Sequence, residues 1–201
     1  MFRPETTNTL RTITVLALAL VVLGPATVDA DQWMIPAAAN VSGSAGTNWR
    51  TDLRFVNTAD ATVSVRIYLL ENRKDNGSLG TFVDVSVPGD GQVEIANVLA
   101  SRFGFSGTGA LLVETTDCGL IVTARTYNQV PGRTYGQFIP GISMSDALAP
   151  GETGHIVYLS KSSDFRSNLG WVATAAGSGS VVVTLHNANG AVIGTRSYPV
   201  K

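Results

Sequence analysis

Two short polar runs, Arg50-Thr51-Asp52 and Arg166-Ser167-Asn168, hold the densest chemistry of this sequence: a guanidinium, a hydroxyl and a carboxylate or amide on consecutive residues. Such a set can grip a carboxylate or a sugar. It can equally satisfy backbone donors and acceptors where a strand joins a sheet, with the Arg resting on the neighbouring Trp49 or Phe165 ring. The two runs lie inside an internal repeat: residues 48–69 align without a gap onto residues 164–185 at an offset of 116, with eight of 22 pairs identical. Catalytic centres are built once, whereas scaffolding parts recur with the unit they brace. Trp49, Arg50, Asp52, Phe165, Arg166 and Asn168 are therefore read as structural residues of a repeated motif.

The remaining candidates for chemistry are sparse. Trp33, Tyr68 and Tyr135 could form an aromatic platform for a glycan; Trp49 and Trp171 have aromatic counterparts in the other copy and read as core residues that need volume. Asp75-Asn76-Gly77 and Asp90 sit in turn sequences, but no D-x-[DN]-x-[DN]-G series with a distant Glu accompanies them, so neither a calcium site nor any cofactor is expected. The sequence contains no G-x-S-x-G, no H-E-x-x-H and no zinc-like Cys/His spacing. Its two histidines, His155 and His186, adjoin no acid and nucleophile, and a non-catalytic protein is expected. The single cysteine, Cys118, reads as a small buried residue.

Composition sets the compartment. Arg3 and Arg11 flank a polar start, Ile13 to Leu23 is uncharged and apolar, Gly24-Pro25 breaks the run, and Val28-Asp29-Ala30 supplies small residues before Asp31. That is the pattern of a secretory leader over residues 1–30. The apolar run is shorter than the ~20 residues a bilayer-spanning helix needs, so no membrane insertion is expected after cleavage, and a secreted protein is expected. Beyond residue 30 the acids and bases nearly balance, which offers no footprint for nucleic acid. One cysteine excludes an intramolecular disulfide framework.

The elements that must position these residues are strands. Val63 to Leu69 alternates apolar and polar residues with a period of two, and Val83 to Val87 repeats the pattern. Further strands are expected at Trp33 to Ala38, Thr51 to Asn57, Gln92 to Ile95, Gly109 to Thr115, Gly119 to Tyr127, Thr134 to Ile139, His155 to Ser160, Asn168 to Ala173, Val181 to His186 and Ala191 to Tyr198. Gly, Pro, Asn and Asp clusters separate them. Ala96 to Phe103 alone reads as helix. Short strands at this spacing predict an all-β fold, an immunoglobulin-like antiparallel β-sandwich. The expected organisation is a complete unit over 31–141, a linker over 142–154 and a partial second unit over 155–201, cut from a longer chain.

The segments Ile35-Pro36-Ala37-Ala38, Asn48 to Leu53, Thr123 to Asn128, Tyr135 to Gly141 and Phe165 to Gly170 resemble an immunoglobulin-like β-sandwich repeat module of secreted bacterial proteins. The resemblance implies an extracellular module without known chemistry. A secreted, non-catalytic sandwich with a structural or adhesion-like role follows, its partner an unknown protein or glycan; the alternative is a carbohydrate-binding module using the aromatics. Burying one aliphatic side chain is worth about 1.5 to 3 kcal/mol. Leu169, Val172, Val181, Val183 and Leu185 of the partial unit are therefore expected to be covered, either by docking within the chain or by self-association.

Overall fold

The computed structural model describes residues 19–21, 31–43, 46–116, 119–162, 167–174 and 179–200. The chain is mostly antiparallel β-structure. Among the described residues the strands are β1 (Ala19–Val21), β2 (Asp31–Ser42), β3 (Asn48–Asn57), β4 (Val63–Glu71), β5 (Phe82–Val87), β6 (Gln92–Ile95), β7 (Gly107–Thr115), β8 (Leu120–Val130), β9 (Arg133–Pro140), β10 (Ile142–Ser143), β11 (Trp171–Ala173), β12 (Gly179–His186) and β13 (Val192–Val200), with an α-helix, α1 (Val98–Phe103), and a short 3-10 turn over Met144–Asp146. Two units divide it, Gly24–Ala147 and Met1–Leu23 with Leu148–Lys201.

In the unit Gly24–Ala147 the strands follow the order β5-β4-β7-β2-β3-β8-β9, with β10 on β2 and β6 on β3. The long strand β2 links the two halves of this sheet: its first part pairs with β7, and Val41 and Ser42 then pair with Trp49 and Asn48 of β3. Alternation decides which side chains are inside. Val65, Ile67, Leu111 and Val113 in one half, and Leu53, Phe55, Val122 and Ile139 in the other, are almost wholly buried.

Pro36 shapes β2. Proline has no N–H to give a ladder, and the register with β7 shifts between Ile35 and Ala38. Such a bulge turns backbone groups out of the ladder. Here they find side-chain partners: Ala39 N–H donates to Thr51 Oγ1 at 2.8 Å, and Ala37 C=O accepts from Thr126 Oγ1 at 3.0 Å.

Helix α1 closes the same end of the unit. It opens on Asn97 in the left-handed region (φ 42, ψ 60), which Asn tolerates better than most residues. It ends with Gly104 left-handed, the Phe105 N–H reaching Leu99 C=O and the Gly104 N–H reaching Ala100 C=O. The Gly104 bond is the 5→1 bond of an αL stop, and the Phe105 bond reaches one residue further back. Val98 and Leu99 are buried.

In the other unit, β12 and β13 form an antiparallel hairpin turned by Asn187 to Gly190. Val181 is 1% exposed, packed by Leu148, Ile156, Leu169, Trp171, Val183 and Val200, and the Trp171 and Tyr198 rings lie 4.9 Å apart. Part of the aliphatic face expected to need cover is thus covered from within this unit, although Leu185 is exposed. Ala19–Val21, inside the expected leader, pairs in parallel with Trp171–Ala173.

Three sequence expectations change. No strand forms over His155 to Ser160: Tyr158 takes a left-handed φ of 60, and the Ser160 N–H and C=O turn to Ser167, whose N–H donates back at 3.0 Å. The strand expected at Asn168 to Ala173 contracts to Trp171–Ala173. The expected linker over 142–154 begins as structure, because Ile142 and Ser143 pair with Met34 and Trp33.

Candidate functional site

The Arg50-Thr51-Asp52 run lies on β3 between β2 and β8, and the alternation of a strand sends its side chains to opposite faces. Thr51, wholly buried, faces inward beneath the bulge of β2. Its Oγ1 lies 2.8 Å from Thr126 Oγ1 on the paired residue of β8. The single proton of Thr126 goes to Ala37 C=O, so Thr51 must donate to Thr126 while accepting from Ala39 N–H. The relay ties β2, β3 and β8 at one point.

Arg50 and Asp52 stand on the other face. Arg50 donates through Nε to Gln129 Oε1 at 2.8 Å and through a terminal nitrogen to Asn40 Oδ1 at 3.1 Å. Asn40 Oδ1 also accepts from Asn97 Nδ2 at 3.2 Å, and Asn40 Nδ2 donates to Phe105 C=O at 2.7 Å. Asp52 Oδ1 accepts the Asn97 N–H at 2.8 Å and the Tyr127 hydroxyl at 3.1 Å. Burial, and after it the Asp52 carboxylate, raises Tyr127 above the ordinary phenol range. The Arg125 guanidinium covers the Tyr127 ring at 4.7 Å from its centroid. Opposite Tyr127 the chain has Gly136, where any Cβ would overlap the Thr126 carbonyl oxygen and Tyr127 Cβ. Among the described residues, Asn97 Oδ1 is a buried polar atom without a partner.

Chemically this cluster holds a phenol protonated rather than freeing it as a base, and it sets a carboxylate to anchor the start of α1. The guanidinium reaches side-chain amides rather than backbone, a detail the sequence did not carry. Asn40, Asn97 and Tyr127 were not singled out as site residues from sequence. The Thr-Tyr-Asn string over 126–128 could have flagged Tyr127; nothing local marks Asn40 or Asn97, which sit 57 residues apart in sequence.

The second copy of the run is not arranged in the same way. Asn168 is exposed and outside any strand, and Ser167 bonds Ser160; Phe165, Arg166 and Cys118 fall outside the described residues. The three platform aromatics are not brought together either. Trp33 is half-buried on β2, in register with Val113 and thus on the face of the buried Ile67. Tyr68, on β4, packs on Phe82 at 5.7 Å, where Arg66 also lies 4.1 Å over the Phe82 ring while pairing with Asp84 at 2.8 Å. Tyr135, on β9, is 54% exposed, with Arg133 5.4 Å from its ring centroid.

His155 and His186 are exposed, His186 Nδ1 lying 2.9 Å from Gly190 C=O. Asp75 Oδ1 accepts from the Gly77 N–H within its own turn. Among the described residues no three His, Cys, Asp or Glu side chains gather as metal ligands.

No family model and no curated protein matches the chain. The crystal structure of Thermotoga maritima 1070 is similar over 55% of this chain and 91% of its own length, at 14% identity and a TM-score of 0.44.

Proposed function

We propose that this chain is a secreted, non-catalytic β-sandwich module with a structural or protein-interaction role. The observation that carries the reading is the use made of the polar triplet on β3. Arg50, Thr51 and Asp52 each bond to neighbouring strands or to the start of α1. Side chains engaged in this way brace a scaffold. The finer fold is proposed as a two-sheet sandwich of broadly immunoglobulin-like kind, followed by a partial repeat. Within it β4 stands beside β5 and β7, and β3 beside β6 and β8. Self-association through the second unit belongs to the same reading.

A second reading rests on Tyr135, whose exposed ring and neighbouring Arg133 could stack on and hydrogen-bond a sugar. A glycan array run with the purified protein and with Tyr135→Ala separates the two. No binding above background is expected; saturable binding lost in Tyr135→Ala would put a carbohydrate-binding module in place of the scaffold reading. Secretion is tested apart from this by N-terminal sequencing of the exported protein, which should begin at Asp31.

A further inference from the structure

The sequence contains two Asn-Gly pairs, Asn76-Gly77 and Asn189-Gly190, and both lie in turns. An Asn followed by Gly can modify itself. Glycine puts no Cβ in the way of its own backbone nitrogen, so that nitrogen can attack Cγ of the preceding carboxamide. The two pairs share this local chemistry, and a difference in their reactivity has to come from the fold.

The attacking nitrogens are held alike. Gly77 N–H donates to Asp75 Oδ1 at 2.9 Å, and Gly190 N–H donates to Asn187 C=O at 3.0 Å, so one turn bond must open in either case. The carboxamides are held differently. Asn76 is half-buried against the end of β4: its Oδ1 accepts Glu71 N–H at 3.0 Å, and its Nδ2 donates to Glu71 C=O at 3.1 Å and to Lys74 C=O at 3.0 Å. Cyclisation there has to break all three bonds. Asn189 is exposed at the tip of the β12–β13 hairpin, the end remote from Gly179 and Val200. Its backbone N–H and that of Ala191 both donate to Asn187 Oδ1, so Asn187 fixes the turn. The Asn189 carboxamide itself, among the described residues, bonds to nothing.

We infer that Asn189 is a site of spontaneous deamidation and that the fold protects Asn76 from the same reaction. The Gly190 nitrogen loses its proton and bonds to Asn189 Cγ; the Cγ–Nδ2 bond breaks, and the amide leaves as ammonia with that proton. Water then opens the cyclic imide. Breaking the new bond to Cγ gives Asp, whereas breaking the bond to the backbone carbonyl carbon gives isoaspartate, whose main chain runs through Cγ and is longer by one carbon. Either product places a carboxylate on the hairpin tip. Water is the only other reactant, and the inference is independent of the functional reading.

The purified chain is held at mildly alkaline pH, in native buffer and in urea, and digests sampled over time are read by mass spectrometry that separates Asp from isoaspartate. In native buffer position 189 should convert at least ~10-fold faster than position 76, because three side-chain hydrogen bonds oppose the latter. In urea the gap should close. The acidic species that accumulates on ion exchange should be absent from an Asn189→Gln protein. Equal native rates, or faster conversion at 76, would overturn the inference. So would a position 189 that stays intact in native buffer while it converts in urea, since the turn would then protect it. A gap that persists in urea would place the cause in the local sequence and refute protection by the fold, and Asp at 189 without isoaspartate would refute the imide route.

Discussion

Replacing Thr51 by Val tests the relay that binds β2 to β3 and β8, because the two side chains have nearly the same shape and differ by one hydroxyl. Thr51 is 0% exposed, so no water can replace the lost group. The change leaves Ala39 N–H without its acceptor at 2.8 Å and removes the proton given to Thr126. A buried donor left unmatched costs about 1 to 3 kcal/mol. At on the order of 4 °C per kcal/mol for a unit of this size, the melting midpoint should fall by roughly 4 to 12 °C. Thr51→Ser keeps the hydroxyl and loses a buried methyl, a change worth about 0.8 kcal/mol.

The double variant sharpens the test. Thr51→Val and Thr126→Val each abolish the same hydroxyl-to-hydroxyl bond, so the pair together should destabilise by less than the sum of the singles. The shortfall should be about 0.5 to 1.5 kcal/mol, one net hydrogen bond. Urea titrations followed by circular dichroism, with unchanged slopes, measure all four proteins. A Thr51→Val protein as stable as the parent, or strictly additive effects in the double variant, would refute the relay.

Arg50→Ala should lower stability by about 1 kcal/mol, since a half-exposed guanidinium loses two amide acceptors while Asn40 keeps its bond from Asn97; unchanged melting would contradict the bracing role. Tyr127 is held above the ordinary phenol range, so the folded chain keeps its proton to higher pH than the unfolded one. Its contribution is therefore intact below about pH 10 and declines as pH rises above that value. Thermal melts from about pH 8 to 11 should show this loss in the parent and less of it in Tyr127→Phe. Gly136→Ala should destabilise by about 1 to 3 kcal/mol through overlap with backbone and with Tyr127, and a neutral result by urea titration would mean that β9 can move away.

The sequence alone specified the strands of the first unit, because a side-chain period of two is a local property. Gln92–Ile95 was placed to the residue, and Val63 to Leu69 and Val83 to Val87 to within two residues at either end. It also led, through repetition, to the expectation that Arg50 and Asp52 are structural, and the structure gives both hydrogen-bond partners on neighbouring elements. It misread His155 to Ser160, whose alternation matches a strand, because a strand exists only when another chain segment supplies the ladder, and Ser167 and a left-handed Tyr158 provide a local alternative. The partners of the polar triplet were decided by tertiary structure alone. Asn40 comes from the bulged end of β2, Asn97 from the start of α1 and Tyr127 from β8. No local pattern encodes such a meeting; it arises when β2, β3 and β8 come into register, which brings distant polar groups within bonding distance as the apolar faces beside them leave water.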